Sequence, residues 1–202
     1  MRLILASNNA HKRKELSDIL TQLGMEVISM EEAGIFLTPE ENGETFEENS
    51  YAKARAVFDA CHQPVIADDS GLMVDALGGA PGVYSARYGG AQCKSDGDRL
   101  NYLLKQLKDV PPERRTAHFV CVITLLLPDG RRLTARGECP GVILDAPQGE
   151  NGFGYDPVFY VPERKTTFAM LPEEEKNRIS HRARALRLFV QKLQMEEYDA
   201  DK

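Results

Sequence analysis

Residues 65–90 read VIADDSGLMVDALGGAPGVYSARYGG, a segment that combines an apolar run, an acidic pair and a glycine-rich turn. The apolar run 65–67 predicts a buried β-strand. Asp68 and Asp69 follow where we expect that strand to end, and we expect residues 70–71 to turn the chain. Adjacent carboxylates raise each other's pKa when they are buried together. The pair is therefore either a solvated acidic turn or a place that holds a positive charge.

The composition is typical of a globular protein that forms one domain. Of 202 residues, 42% are hydrophobic and 28% are charged. The net charge of −6 argues against a broad basic face for nucleic acid or an anionic membrane, although single basic residues can still gather around a small anion. No apolar run approaches a membrane span, and the first residues do not form the long apolar stretch of a signal peptide. The four scattered cysteines favour free thiols and a cytoplasmic location over a disulfide framework or metal site.

The N-terminal part of the chain predicts a strand, a helix and a second strand. Residues 3–5 are apolar and predict a buried strand. A helix is expected from about His11, with Gly24 as its stop. Its apolar residues recur with helical spacing and are Leu16, Ile19, Leu20 and Leu23. Residues 26–28 predict the second strand.

Two further helices are marked by capping residues. The acidic segment 31–43 contains a proline and is interpreted as a loop. Thr45 and Glu48 follow it with the spacing of a capping box, which predicts the start of a helix. Ser95 is expected to cap another helix. The apolar face of that helix consists of Leu100, Leu103, Leu104 and Leu107.

The second half of the chain predicts a hairpin and a helical end. The runs 116–127 and 131–138 are separated by a Pro-Asp-Gly turn, which is typical of an antiparallel pair. Three glycines make 148–155 a loop, and 157–161 predicts a short strand. From Pro172 onward the pattern is mostly helical. Together the elements predict an α/β fold with a mixed sheet.

The polar loop after the first strand is a candidate phosphate site. It consists of Ser7, Asn8, Asn9, Ala10, His11 and Lys12. The start of a helix offers amide N–H groups and a partial positive charge, and Lys12 adds a full charge. However, the loop lacks the glycines of a Walker motif, and many strand-to-helix turns bind nothing. The sequence pattern alone leaves both interpretations open.

Three other segments carry side chains suited to ligand binding. Glu40 and Glu41 are either solvated charges or metal ligands that join the aspartate pair, and magnesium needs only a few carboxylates beside substrate phosphate oxygens. The loop 152–156 contains two aromatic rings, which pack into the core or stack on a base. Lys176 and the segment 180–182 form a basic stretch that is a polar helix face unless other residues point to a site.

Taken together, these motifs resemble the inosine triphosphate pyrophosphatase family, also described as Ham1-like or dITP/XTP pyrophosphatases. Members of that family hydrolyse deaminated purine nucleoside triphosphates. The matching segments follow the family's order over nearly the whole chain: SNNAHK at 7–12, TFEENSYAKA at 45–54, ADDSGLMVDALGGAPGVYSARY at 67–88, GFGYDPVF at 152–159 and EEEKNRISHRARAL at 173–186. The family commonly has Thr-Gly-Asn where this chain has Ser7-Asn8-Asn9. Asn8 must therefore accept a backbone conformation that glycine takes freely.

The resemblance implies a role for each matching segment. Residues 7–12 would hold the triphosphate, with Lys53 as a further basic contact. Asp69 would be the general base and, with Glu40, a ligand of Mg²⁺. The rest of the nucleotide site would be lined by Ser70, Phe153, Gly154, Tyr155, Asp156, Lys176, His181 and Arg182. The implied fold is an elongated mixed β-sheet flanked by helices, in two lobes with the active-site cleft between them, and the implied assembly is a homodimer.

Two other classes of function stay open at this stage. A nucleotide-binding regulatory protein could use the same loop and aromatic residues without catalysis. An aspartate-based phosphatase could form a phosphoenzyme on Asp68 or Asp69 and would release orthophosphate, whereas the family's reaction releases pyrophosphate. The identity of the product therefore separates these possibilities.

Overall fold

Strands and helices alternate through the first half of the chain. A computed structural model describes residues 2–22 and 24–200, with side chains through Met195. The elements of this half are β1 (Arg2–Leu5), α1 (Ala10–Gln22), β2 (Glu26–Ser29), α2 (Phe46–Cys61), β3 (Val65–Val74) and α3 (Asp96–Gln106). This order confirms the prediction from hydrophobic spacing. Leu23, which was predicted to continue the apolar face of α1, lies outside the described residues.

A hairpin and two helices make up most of the second half. Its elements are β4 (Thr116–Leu126), β5 (Arg132–Ile143), β6 (Phe159–Val161), β7 (Thr166–Thr167), α4 (Glu173–Ile179) and α5 (His181–Ala200). The Leu127 N–H donates to the Arg131 carbonyl at 3.0 Å and closes the turn between β4 and β5. The two-residue strand β7 was not predicted, because it is too short to show a period. None of the described helices combines the length and apolar character needed to cross a membrane.

The seven strands form one mixed sheet in the order β2-β1-β3-β4-β5-β6-β7. β1 pairs in parallel with β2 and with β3. β6 pairs in antiparallel fashion with β5 and with β7. The predicted α/β fold with a mixed sheet flanked by helices is therefore confirmed.

The expected end of the central strand is wrong. β3 continues through Asp68, Asp69 and the 70–71 dipeptide to Val74, so the acidic pair lies inside a strand and not in a turn. Both aspartates are buried, with exposed fractions of 1% and 4%. The strand can pass through them because each carboxylate meets a basic side chain, Lys12 for Asp68 and Lys53 for Asp69.

Two other strand boundaries differ from the prediction. β5 does not stop near residue 138 but runs to Ile143 and includes Pro140. Proline has no N–H to donate to a neighbouring strand, and the register of β5 with β6 begins only at Val142. The strand predicted over 157–161 is a 3₁₀ turn followed by the three residues of β6.

The chain divides into two compact units. Unit 1 contains Met1–Asp69, Cys121–Gly137 and His181–Lys202, and unit 2 contains Ser70–Val120 and Glu138–Ser180. The organisation of residues 1–202 as a single domain, and a cleft between two lobes, stay predictions.

The core of unit 1 anchors the helices that carry predicted site residues. Leu5 from β1, Leu16 and Leu20 from α1, and Phe189 from α5 are fully buried in one cluster. β5 approaches α5 at Gly137, where a Cβ atom would lie 2.2 Å from the Ala185 nitrogen. The core therefore anchors both helices, and the approach at Gly137 fixes α5 near its first turn.

Capping boxes set the starts of two helices: the box at Thr45 was predicted, and the predicted cap at Ser95 forms a box as well. The Thr45 hydroxyl accepts from the Glu48 N–H at 3.1 Å, and the Glu48 carboxylate accepts from the Thr45 N–H at 3.3 Å. Ser95 and Asp98 form the same reciprocal pair at the start of α3. Because each box satisfies N–H groups that a helix leaves without partners, it fixes the first turn of its helix.

Candidate active site

Asp69 is held at both carboxylate oxygens. It lies on β3 in unit 1, and its Oδ1 accepts from the Lys53 Nζ at 3.1 Å. Its Oδ2 accepts from the Asn49 Nδ2, also at 3.1 Å. Asn49 and Lys53 are one turn apart on α2 and therefore lie on the same face of that helix. One helix face thus orients the predicted general base.

The electrostatics around Lys53 favour an ammonium ion surrounded by carboxylates. Burial works against the charge, but Asp69, Asp68 and Glu41 together raise the pKa of Lys53. Glu41 accepts from the Lys53 Nζ at 2.6 Å. Burial opposes ionisation of Glu41 as well, yet Lys53 lowers its pKa below the ordinary value.

Asp69 itself behaves differently from Glu41. Its burial raises the pKa of its carboxyl above the ordinary value, and Lys53 only partly opposes that effect. A carboxylate whose pKa is raised is a stronger base than an exposed aspartate while it remains ionised near neutral pH. The environment therefore suits the role of a proton acceptor.

Asp68 connects the first turn of α1 with the start of α5. Its Oδ2 lies 3.5 Å from the Lys12 Nζ and 3.8 Å from the Arg182 Nε. The Arg182 guanidinium also donates to the Glu15 carboxylate on α1. Since Glu15 and Arg182 are both nearly fully buried, this ion pair fixes the plane of the guanidinium. His181, the residue before Arg182, is buried as well.

The predicted phosphate loop is organised by its own side chains. The Asn9 Oδ1 accepts from the Lys12 N–H at 3.1 Å, and the Ser7 Oγ accepts from the Asn9 N–H at 3.3 Å. Asn9 thus caps the first turn of α1 with its oxygen, and Ser7 orders the backbone of Asn9. Ala10, His11 and Lys12 form the first turn of α1.

Asn8 does not need the conformation expected of a glycine. Among the non-glycine residues that the structure describes, only His62 and Lys165 have a positive φ. The asparagine at this position is therefore accommodated without left-handed backbone. Its side chain lines a surface pocket of about 390 Å³ together with Arg13 and residues 35–38.

A second cluster lies in unit 2 around Asp156 and Lys176. The Lys176 Nζ donates to the Asp156 Oδ2 at 2.6 Å, and both side chains are nearly fully buried. The same ammonium lies 5.0 Å from the ring centroid of Phe153. The Phe153 N–H donates to the Asp156 Oδ2 at 3.0 Å, and a Cβ at Gly152 would lie 2.1 Å from that oxygen. Asp156 therefore fixes the glycine-rich loop and the lysine at once.

The other predicted residues of unit 2 have different surroundings. Tyr155 is buried, its hydroxyl donates to the Ser85 carbonyl at 2.8 Å, and burial raises its pKa. The ring therefore packs in the core, as the alternative interpretation of this loop expected. The Gly154 N–H donates to Asp96 at 2.9 Å. Ser70 is half-buried on β3.

The predicted magnesium ligands fit the chemistry of the ion, although Glu40 and Asp69 have different partners. Glu40 is exposed and accepts from the Asn42 Nδ2 at 2.8 Å, whereas its neighbour Glu41 contacts Lys53. Within residues 2–22 and 24–200, no three His, Cys, Asp or Glu side chains are grouped so that they could hold a metal. Magnesium takes hard oxygen ligands and commonly needs only one or two carboxylates beside phosphate oxygens and water. The pair of ligands stays a prediction.

The sequence motifs assigned no role to Asn49 or Glu15, and they indicated Glu41 as a solvated charge or a metal ligand but not as the partner of Lys53. Spacing offered a signal for two of them. Asn49 precedes Lys53 by one helical turn, and Glu15 interrupts the apolar face of α1 directly before Leu16. The ion pair of Glu41 with Lys53 depends on the conformation of an irregular loop, and no periodic sequence pattern predicts that conformation.

These features define an α/β protein in which buried lysine and arginine side chains are paired with carboxylates. The sequence profile of the Ham1 family matches residues 3–192. The chain belongs to the Ham1 family.

Two bacterial relatives illustrate the similarity. The protein named dITP/XTP pyrophosphatase of Clostridium perfringens is 49% identical over 191 residues, which cover 92% of this chain and 93% of that protein. A protein of the same name from Thermus thermophilus is 48% identical over 191 residues, which cover 95% of this chain and 91% of that protein.

Solved structures show the same fold. The Staphylococcus aureus Ham1 protein superposes with a TM-score of 0.85 at 43% identity, covering 97% of this chain and 100% of that one. The HAM1 protein of Coxiella burnetii gives a TM-score of 0.86 at 40% identity, covering 96% and 99% of the two chains.

Proposed function

We propose that this protein hydrolyses deaminated purine nucleoside triphosphates, namely dITP, XTP and ITP, to the monophosphate and pyrophosphate. The observation that carries the proposal is the environment of Asp69, a buried carboxylate oriented by two donors, in a chain nearly half identical to proteins named dITP/XTP pyrophosphatases. Simple nucleotide binding gains little from such a base. Removal of these nucleotides would keep deaminated purines out of the pool of triphosphates.

In this reaction a water molecule attacks the α-phosphorus, and pyrophosphate leaves. Asp69 accepts the proton of the attacking water, a step that contributes about 10²–10⁴-fold to the rate in enzymes. Lys12 and Lys53 stabilise the negative charge of the triphosphate electrostatically. Glu40 and Asp69 would hold Mg²⁺, which when bound neutralises phosphate charge and makes pyrophosphate a better leaving group.

Selection against adenine rests on the 6-position of the purine, whereas guanine shares the 6-oxo group and its rejection must rest on its 2-amino group. Hypoxanthine and xanthine present an oxygen acceptor there, where adenine presents an amino donor. The Arg182 guanidinium can only donate, and its plane is fixed by Glu15 and Asp68. A donor that faces the adenine amino group costs about 1–3 kcal/mol, which gives ten- to hundredfold discrimination. We assign stacking on the base to Phe153, whose ring is only half-buried.

The test is an assay of product identity. The protein is incubated with dITP, XTP, ITP, ATP and GTP in the presence of Mg²⁺, and pyrophosphate and orthophosphate are measured separately. We expect monophosphate and pyrophosphate from the deaminated nucleotides and little turnover of ATP or GTP. Orthophosphate as the first product would support an aspartate-based phosphatase, and binding without turnover would support a regulatory protein. Size measurement in solution tests the homodimer, which is a further part of the proposal.

A further inference from the structure

Asn49 links the predicted base to the loop that carries the acidic residues. It is fully buried, its Nδ2 donates to Asp69 at 3.1 Å and its Oδ1 accepts from the Gly43 N–H at 2.8 Å. We infer that Asn49 is a positioning residue, which fixes the Asp69 carboxylate relative to the acidic loop (Glu40–Gly43) and so directs the oxygen that takes a proton from water. This inference rests on the proposed function.

The orientation of the Asn49 amide is dictated by its partners. A backbone N–H can only donate, so the oxygen of the amide must face Gly43. The NH₂ group is then directed at Asp69, where it finds an acceptor. The flipped amide would place donor against donor at Gly43 and oxygen against carboxylate at Asp69. Asn49 therefore needs both its acceptor and its donor in this position, whereas a residue that only fills space would need neither.

Lys53 is the second donor to Asp69, and together with Asn49 it fixes the orientation of the carboxylate. Lys53 holds Oδ1 and Asn49 holds Oδ2, each at 3.1 Å. A carboxylate held at both oxygens cannot rotate about its Cβ–Cγ bond without breaking a hydrogen bond. Since both donors come from the same face of α2, and the capping box fixes the first turn of that helix, the lone pairs of Asp69 have a fixed direction.

The acidic loop is attached to the same helix face at two points. Its Gly43 N–H meets Asn49, and its Glu41 carboxylate meets Lys53 at 2.6 Å. A Cβ at Gly43 would lie 2.7 Å from the Glu48 Cβ and 2.9 Å from the Asn49 Oδ1. Glycine is therefore required for the close approach of the loop backbone. Through Asn49, the position of the loop and the direction of Asp69 are set together.

The inference is tested with Asn49→Ala and a matched control, Ser50→Ala. Ser50 is the next residue of α2, is also fully buried, and donates to the Thr124 hydroxyl at 2.5 Å. Ser50→Ala loses one buried hydrogen bond of α2 and Asn49→Ala loses two, but only Asn49→Ala releases Asp69. We expect Asn49→Ala to lower kcat for dITP by about 10- to 100-fold with KM changed by less than about twofold. Ser50→Ala should retain the parent kcat.

Hydrogen exchange gives a readout that does not depend on activity. The Gly43 amide should exchange faster in Asn49→Ala than in the parent protein, because it loses its acceptor. Asn49→Asp retains an oxygen for Gly43 but turns a second carboxylate oxygen toward Asp69. In that variant the Gly43 amide should stay protected while kcat falls at least as far as in Asn49→Ala. Asn49→Asp also decides the question if the alanine variant does not fold.

The outcomes separate this inference from the proposed function. A kcat of Asn49→Ala within about twofold of the parent, or an equal loss of kcat in Ser50→Ala, overturns the role of Asn49 while the parent activity upholds the proposed function. A parent protein that releases no pyrophosphate from any deaminated nucleotide overturns the proposed function, and the positioning role in that reaction falls with it.

Discussion

At the scale of single residues, the two adjacent aspartates of β3 have separate surroundings and therefore separate expected roles. Asp69 contacts Lys53 and Asn49, whereas Asp68 contacts Lys12 and Arg182. We expect Asp69→Asn to lower kcat by about 10²–10⁴-fold, because asparagine keeps the shape of the side chain but cannot accept the proton. Nucleotide binding, measured by calorimetry, should survive.

Asp68→Asn is the matched comparison for that prediction. It removes one carboxylate from the cations predicted to hold phosphate and base, so it should raise KM more than it lowers kcat. A loss of nucleotide binding in Asp69→Asn, with normal residual chemistry, would contradict the assignment of the base.

The Glu41–Lys53 ion pair predicts a stability that depends on pH. Burial acts in the opposite direction, but Lys53 lowers the pKa of Glu41 below its ordinary value of 4.5. The folded state thus binds this proton less tightly than the unfolded state, so the pair contributes stability at neutral pH that is lost as the pH falls below 4.5 through the lowered pKa. Glu41→Gln should be less stable than the parent at neutral pH, and the difference should shrink in acid.

Urea denaturation across this pH range checks the prediction. Glu44→Gln is the control, since Glu44 is exposed in the same part of the chain and its loss removes the same charge. A difference in unfolding free energy that stays constant from neutral to acid pH, or that appears equally in Glu44→Gln, would show that the ion pair does not contribute as described.

At the scale of elements, the packing of α5 on β5 depends on one glycine. A Cβ at Gly137 would lie 2.2 Å from the Ala185 nitrogen and 2.4 Å from the His181 carbonyl oxygen. Both neighbours are backbone atoms of α5, so the helix would have to move away. We expect Gly137→Ala to reduce stability by about 1–3 kcal/mol, the usual effect of overpacking. Thermal unfolding measures it.

Gly97→Ala is the control for the same substitution in open surroundings. Gly97 lies exposed in α3, its nearest contact for a Cβ is 3.8 Å away, and alanine there should stabilise the helix by about 0.5–1 kcal/mol. Because α5 begins with His181 and Arg182, the displaced helix in Gly137→Ala should also raise KM for dITP. Equal stability changes in the two variants would refute the close approach.

The elements also show what sequence can and cannot predict. Local spacing predicted α1, the capping box at Thr45, the cap at Ser95 and the hairpin, because each depends on residues within a few positions of one another. The course of β3 through Asp68 could not be predicted in this way. Its carboxylate is tolerated inside a strand only because Lys12, far away in the chain, lies beside it in the fold. The resemblance to the family predicted Asp69 as a site residue. The role of Asn49 as its second donor is visible only in the hydrogen bonds of the structure.

At the scale of the whole molecule, an acidic protein buries three of the cations that are predicted to line its site. The net charge is −6, yet Lys53, Lys176 and Arg182 are all nearly fully buried. Each of them meets at least one carboxylate within hydrogen-bond reach. These positive charges, predicted to contact the nucleotide, are therefore local and shielded, and they do not form a basic surface.

This distribution predicts selectivity for small anions over polyanions. A triphosphate can reach individual ammonium groups, but duplex DNA requires an extended basic face to neutralise successive phosphates. We expect excess duplex DNA, or vesicles of anionic lipid, to leave the rate of dITP hydrolysis unchanged at low salt, where electrostatic attraction is strongest. Inorganic triphosphate, which matches the predicted phosphate contacts in size, should compete and raise KM. Inhibition by DNA that is relieved by added salt would contradict this prediction. It would mean that the surface presents a basic face despite the net charge, and that polymers can reach the cations of the site.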